Sequence, residues 1–201
     1  MGEKNLVARE CYDQLLVYLQ RFTHISREGL QPLLPFLEIR RFDKKKILVN
    51  LGEVDNYLNI VIKGIVRKYV PSPKGDVTLQ LATEGHFIQS EVSYHRREPS
   101  EVILETLEPV ILVSMQYDRM NEAFNTFPAA EALGRAIIMQ MFIKKDARYF
   151  DQLKIPTRQR FLEYINNHPE MLQRVPQKIL ASYLNIKPET FSRLKHLLQR
   201  K

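Results

Sequence analysis

Cys11 is the only cysteine in the chain. A lone thiol excludes a disulfide within one chain. It also excludes an iron–sulfur or zinc site built only from the cysteines of one chain. The side chain reads as a small buried hydrophobe. No apolar stretch approaches the ~20 residues that span a bilayer, and residues 1–20 carry Glu3, Glu10 and Asp13 among their apolar positions, unlike a secretory signal. A cytoplasmic protein without a membrane partner is expected. The histidines are scattered and lack paired metal-ligand spacing, so no metal is expected. No Ser/His/Asp or Cys/His grouping is set out for catalysis. The His-x-His plus Glu cluster of a cupin-type barrel enzyme is missing too. The chain reads as a protein that is not an enzyme, with no catalytic residue.

What is present is ordinary in amount and uneven in placement. Hydrophobic residues make up 44% of the chain, enough for a sizeable core. The formal charge is +7. Residues 151–201 hold ten Lys or Arg against four acids, whereas residues 1–150 hold twenty basic and nineteen acidic residues. Nearly all the positive excess therefore lies in the last quarter, the electrostatic footprint of phosphate binding.

Periodicity divides the chain. Tyr12, Leu15, Leu16 and Leu19 fall near helical spacing and predict an amphipathic helix over about 5–20, followed by a short helical piece near 26–36. From Leu37 the period becomes two. Strands are expected near 37–42, 46–50, 57–63, 64–70, 77–82, 102–107 and 110–115. In one of them Val77, Leu79 and Leu81 alternate with Thr78 and Gln80, which predicts the three aliphatic side chains on the buried face. Gly52, Gly64, the run Pro71-Ser72-Pro73-Lys74-Gly75-Asp76 and Gly85 supply the breaks. Many short strands with regular turns suggest an antiparallel barrel or roll. After a short helix over 117–124, Pro128 opens a long one reaching about Leu153. Its centre, 136–143, is apolar on nearly every side, so a helix of a second copy is the expected cover.

Pro156 separates that helix from a third region. The run 157–167 reads as a helix with Phe161, Leu162 and Ile165 on one face. Residues 175–201 then read as a helix-turn-helix. Leu180, Leu184, Ile186, Phe191 and Leu194 supply apolar contacts, and Ala181 is small where the helices approach. Asn185 tolerates the left-handed turn, and Pro188 opens the second helix. Glu189, Ser192 and Arg193 face away from the apolar side, where Arg can donate to guanine and Glu can accept from cytosine.

This order of roll, long helix and helix-turn-helix resembles the cyclic AMP receptor protein/fumarate-nitrate regulator family of bacterial transcription factors. In the roll the likeness rests on Asn50-Leu51-Gly52-Glu53, Ile60-Val61-Ile62-Lys63-Gly64, Lys74-Gly75-Asp76 and Gly85-His86-Phe87. In the reader it rests on Glu189-Thr190-Phe191-Ser192-Arg193. The resemblance implies an α+β fold with three parts. They are a cyclic-nucleotide-binding-type antiparallel β-roll sensor with its N-terminal helices over 1–116, a dimerisation helix and linker over 117–155, and a winged-helix/helix-turn-helix DNA-binding domain over 156–201. The stretch 167–177 is too short for a full hairpin, so the wing is expected to be reduced. Glu189, Ser192 and Arg193 would contact bases. Gln177 and Thr190 fall at phosphate-contacting positions, and Lys178, Lys187, Lys195 and His196 complete that set. Leu133, Ile137, Met141 and Lys144 are the expected dimer interface.

The resemblance also implies a ligand pocket, and the sequence departs from it. Members that bind a cyclic nucleotide offer Gly-Glu early in the cassette and Arg-Ser or Arg-Ala late in it. Those places are assigned here to Gly85-His86 and Pro99-Ser100-Glu101. The ribose carboxylate and the phosphate arginine are missing, and Glu101 would repel a phosphate. No Ser or Thr occurs from 128 to 156 to meet an adenine. The pocket is expected to be degenerate, with no cofactor and without cyclic AMP or cyclic GMP; another small effector is left unidentified. Arg96 and Arg97 read as a solvated basic loop in preference to an anion site. The function expected is a homodimeric, sequence-specific DNA-binding transcription regulator not gated by cyclic AMP. Its partner is a pseudo-palindromic duplex, with RNA polymerase a further candidate. The alternative is a regulatory module of the cyclic-nucleotide type that acts through protein contacts without binding DNA.

Overall fold

The computed structural model describes residues 2–198; Arg200 and Lys201, counted in the C-terminal charge, lie outside the described residues. The chain opens with helix α1 (Gly2–Leu19), a short α2 (Arg27–Leu30) and a 3-10 segment (Gln31–Phe36). Ser26 caps α2 by accepting from the Gly29 N–H at 3.1 Å. Eight strands follow: β1 (Leu37–Phe42), β2 (Ile47–Val49), β3 (Tyr57–Lys63), β4 (Val66–Val70), β5 (Val77–Ala82), β6 (Phe87–Ile88), β7 (Ile103–Thr106) and β8 (Val110–Gln116). A six-residue helix, α3 (Glu91–Arg96), interrupts them between β6 and β7. Neither β6 nor α3 is among the expected elements.

The strands form two four-stranded antiparallel sheets, in the orders β1-β8-β3-β6 and β2-β7-β4-β5. Alternation then distributes the apolar residues. On β3, Val61 joins Val49, Val66, Ala82, Ile88, Leu104, Val110 and Leu112 in one cluster drawn from both sheets. Ile60 and Ile62, one residue to either side, join Val113, Leu15, Leu19 and Leu33 in a second cluster that binds the N-terminal helices. Gly64 makes the β3–β4 turn at φ +96°, where a Cβ would lie 2.5 Å from the Pro109 carbonyl oxygen. Only glycine fits so close to a neighbouring strand.

The strand β5 corrects one expectation. Val77 and Leu79 are exposed (45% and 42%), and Thr78 is buried (4%). The β4–β5 register pairs Lys68 with Gln80 and then Tyr69 with Thr78, so Leu79 is the extra residue of a bulge. The bulge reverses the phase of the strand's outer half. Thr78 turns inward to accept from Arg67 Nε at 3.0 Å.

Beyond the roll lie α4 (Tyr117–Thr126), the 27-residue α5 (Pro128–Lys154), α6 (Thr157–Asn167), α7 (Met171–Arg174), α8 (Gln177–Tyr183) and α9 (Pro188–Leu198). The reduction of the wing is complete among the described residues. The stretch between α6 and α8 forms the short helix α7, held by Pro169 and Pro176 and anchored by buried Met171 and Val175. No helix among the described residues is long and apolar enough to cross a membrane.

Candidate nucleic-acid interface

The two helices at the C-terminus are joined by a turn that the sequence dictates locally. Tyr183 ends α8, and Leu184 caps it. Asn185 then adopts φ 55°. The Ile186 N–H donates to the Ala181 carbonyl at 2.9 Å, and the Asn185 N–H donates to the Ser182 carbonyl at 3.1 Å. This pair of bonds is a Schellman motif, which satisfies two carbonyls that the helix end leaves open. Pro188 then starts α9, where its missing N–H costs nothing. Phe191 and Leu194 of α9 are buried with Leu180, Ala181 and Ile186 and with Phe161 and Ile165 of α6. The Phe161 and Phe191 rings meet edge to face, 5.1 Å between centroids.

That packing decides which side of α9 is free. With Phe191 and Leu194 turned inward, Glu189, Arg193 and His196 are exposed and Ser192 is half-buried. Residues 189, 192, 193 and 196 follow helical spacing and share one face. Thr190 and Lys195 flank it, half-buried. Gln177 and Lys178, at the start of α8, and Lys187, just before α9, are exposed. Every residue expected to contact DNA thus lies on α8, α9 or their turn, and the proposed base readers sit together on one helix face.

The C-terminal helices are fastened to the roll. Their apolar cluster includes Ile65, Leu81 and Leu107 of the roll. Ser182 of α8 accepts from the Thr78 N–H at 2.8 Å and donates to the Asp76 carbonyl at 2.9 Å. Arg174 donates to Glu84 (2.7 and 3.1 Å) and to Glu108. The Gly64 N–H donates to the same Glu84 carboxylate at 2.9 Å. Burial pushes the Glu84 carboxyl up, but hydrogen bonds from Arg174 and from backbone N–H groups outweigh it and hold the group below its ordinary range. Arg148 of α5 closes the junction. It donates to the Leu79 carbonyl (3.1 Å) and the Tyr183 carbonyl (2.8 Å), and its guanidinium lies 3.7 Å from the centre of the Tyr183 ring. Arg148, Arg174, Glu84 and Glu108 escaped the reading of the sequence. Single charges at long separation carry no local pattern.

No protein-family model matches the sequence, and no curated protein matches it. Solved structures do match. The c-di-GMP responsive global regulator CLP of Xanthomonas campestris is 19% identical with a TM-score of 0.67, covering 87% of this chain and 92% of its own. FixK2 of Bradyrhizobium japonicum is 14% identical with a TM-score of 0.63, over 82% and 85%. The catabolite activator protein of Thermus thermophilus is 19% identical with a TM-score of 0.55, over 91% and 87%. The fold is that of the cyclic AMP receptor protein/fumarate-nitrate regulators.

Within this fold two sets of expected residues are placed differently from the expectation. Leu133, Ile137 and Met141, expected at a dimer interface, pack on their own chain's helical cluster, and the Lys144 ammonium lies over the ring of Phe22. This face of α5 is turned toward the roll. The uncovered apolar residues are Ile138, Met139, Phe142, Ile143, Tyr149, Phe150 and Leu153, with Phe142 the most open at 70%. An all-round apolar helix has two candidate faces for burial, and packing on its own chain's cluster, with α4 beside it, takes one.

The expected effector pocket is also divided. Gly85 and His86 form the β5–β6 turn. Gly85 lies against Tyr18 and Arg21, and the His86 Nδ1 pairs with Thr83. Pro99, Ser100 and Glu101 are elsewhere: Pro99 and Glu101 are exposed, and the buried Ser100 hydroxyl donates to Ser90 at 2.9 Å. The buried partner of Ser100 is therefore Ser90, after β6, and neither Gly85 nor His86. A two-residue strand is too short to show a period, which displaced the assignment. Arg97 is structural. It sits at φ 60°, donates to the Asp55 carbonyl (2.7 Å) and to Asn56, and stacks over Tyr117 at 4.3 Å. Arg96 is exposed.

Proposed function

We propose that the chain is a homodimeric, sequence-specific DNA-binding transcription regulator that works without cyclic AMP. The observation that carries this reading is the free face of α9, where Glu189 and Arg193 stand exposed beside half-buried Ser192 on a helix whose other face is locked in a core. A rigid helix with a fork donor and a carboxylate on one face suits the major groove. The positive charge of residues 151–201 supplies attraction to phosphates. The likeness to CLP and the catabolite activator protein, one named a global regulator and the other an activator, points the same way. Dimerisation is supported by the uncovered stripe Ile138, Phe142, Tyr149 and Leu153, which follows one side of α5 for four turns. A second copy of α5 would cover it and place two α9 helices on successive major grooves.

Fluorescence anisotropy with random duplex DNA tests the reading. Affinity should fall steeply as salt rises, with a log–log slope reflecting several released counterions. Salt-independent binding, or none, by a folded protein would remove the regulator reading.

A further inference from the structure

Strand β4 carries two adjacent basic residues, Arg67 and Lys68, and both are buried at 5%. Arg67 lies along the β4–β5 hairpin, bonded to Thr78 and Asp76 and stacked on Tyr69 at 4.0 Å. Lys68 reaches instead to the segment that follows β6. Its ammonium donates to both Glu91 oxygens, each at 2.7 Å, and to the Gln89 carbonyl at 3.2 Å. An unpaired ammonium removed from water is very costly. Burial pushes the Lys68 amine below its ordinary value, and the Glu91 carboxylate opposes that fall. Lys145 on α5 adds positive potential at both groups.

The segment that carries this carboxylate is itself bonded to the roll. Asp55, buried at 1%, accepts from the Ser90 N–H at 2.7 Å. The Asp55 N–H donates to Ser93 Oγ at 2.9 Å, and Ser100 bonds to Ser90. These bonds fix residues 89–100 on the roll around Glu91. Beside it the Gln89 side-chain carbonyl oxygen is buried without a hydrogen-bond partner. The Glu91 side chain itself is 39% exposed, so the site opens to solvent from the Glu91 side.

We propose that Lys68 is an anion site inside the roll and that its resident ligand is the chain's own Glu91 carboxylate. From solution the site would take a small monocarboxylate, matched in size and charge to the Glu91 head group. A tethered carboxylate competes at a high effective concentration, so in the native chain the site is self-occupied and the segment 89–100 closes on the roll without an effector. This assignment is independent of DNA binding.

The test is chemical rescue followed by thermal unfolding of the full-length protein. Glu91→Ala should lower Tm by about 4–10 °C. Acetate should restore part of the loss in a saturable way that sodium chloride of equal ionic strength does not match. Native protein should show no such acetate response, and neither should Glu91→Ala combined with Lys68→Met. If Glu91→Ala fails to fold, refolding yield reads the same question: recovery in acetate but not chloride supports the site, and recovery in neither overturns it. A native protein stabilised by acetate as strongly as the variant would also overturn the proposal, since Lys68 would then be open to outside anions.

Discussion

Arg193 and Glu189 owe their exposure to residues packed on the opposite face of α9. Phe191 and Leu194 fix the rotation of α9, and Asn185 fixes its angle by accepting φ 55°. This much was legible in the sequence because each signal is local: an Asn at the turn, a Pro at a helix start, apolar residues at helical spacing. Thr78 shows the opposite case. Its burial depends on a bulge in pairing with β4 and on partners at 67 and 182, which no pattern within 77–82 reveals. Lys68 is similar, since a lysine in a strand reads as solvent-facing until its partner at 91 is known. Arg193→Ala should leave the fold intact and remove about 1–3 kcal/mol of discrimination against a mismatched base pair. Weak, salt-sensitive binding should remain. Anisotropy titrations against matched and mismatched duplexes measure both.

Among the elements, α5 and α7 carry the most consequence. The apolar character of α5 was evident from the sequence, and so was the need for a second cover. Which face the chain covers itself was not, because two faces compete and packing on the cluster beside α4 takes one. Phe142→Glu should therefore raise the dimer dissociation constant roughly thirty-fold or more by placing a charge in the uncovered stripe. The same change at Ile137 should mainly unfold the chain, because that side chain is in its own core. Analytical ultracentrifugation separates the two outcomes. Helix α7 delivers Arg174 to Glu84 and Glu108, and these side chains are only a quarter to a third exposed. Arg174→Ala should cost about 1–3 kcal/mol. The folded Glu84 carboxyl is held below its ordinary value near 4.5. Its contribution is therefore complete above that value and is lost as pH falls from there through the depressed one. Acid titration of stability should show this loss in the native chain and a smaller loss in Arg174→Ala.

Across the molecule, the C-terminal helices and the roll share one apolar cluster through Ile65, Leu81 and Leu107, and Arg148 ties α5, β5 and α8 at a single point. Two such units joined along α5 would present two α9 helices with a fixed separation. Selection of bound sites from a random pool of duplex DNA tests the dimeric regulator. A pseudo-palindrome with half-site centres about 10 base pairs apart should emerge, and Arg193→Ala should lose that preference. No enriched sequence from the native protein, or the same sequence enriched by Arg193→Ala, would contradict it.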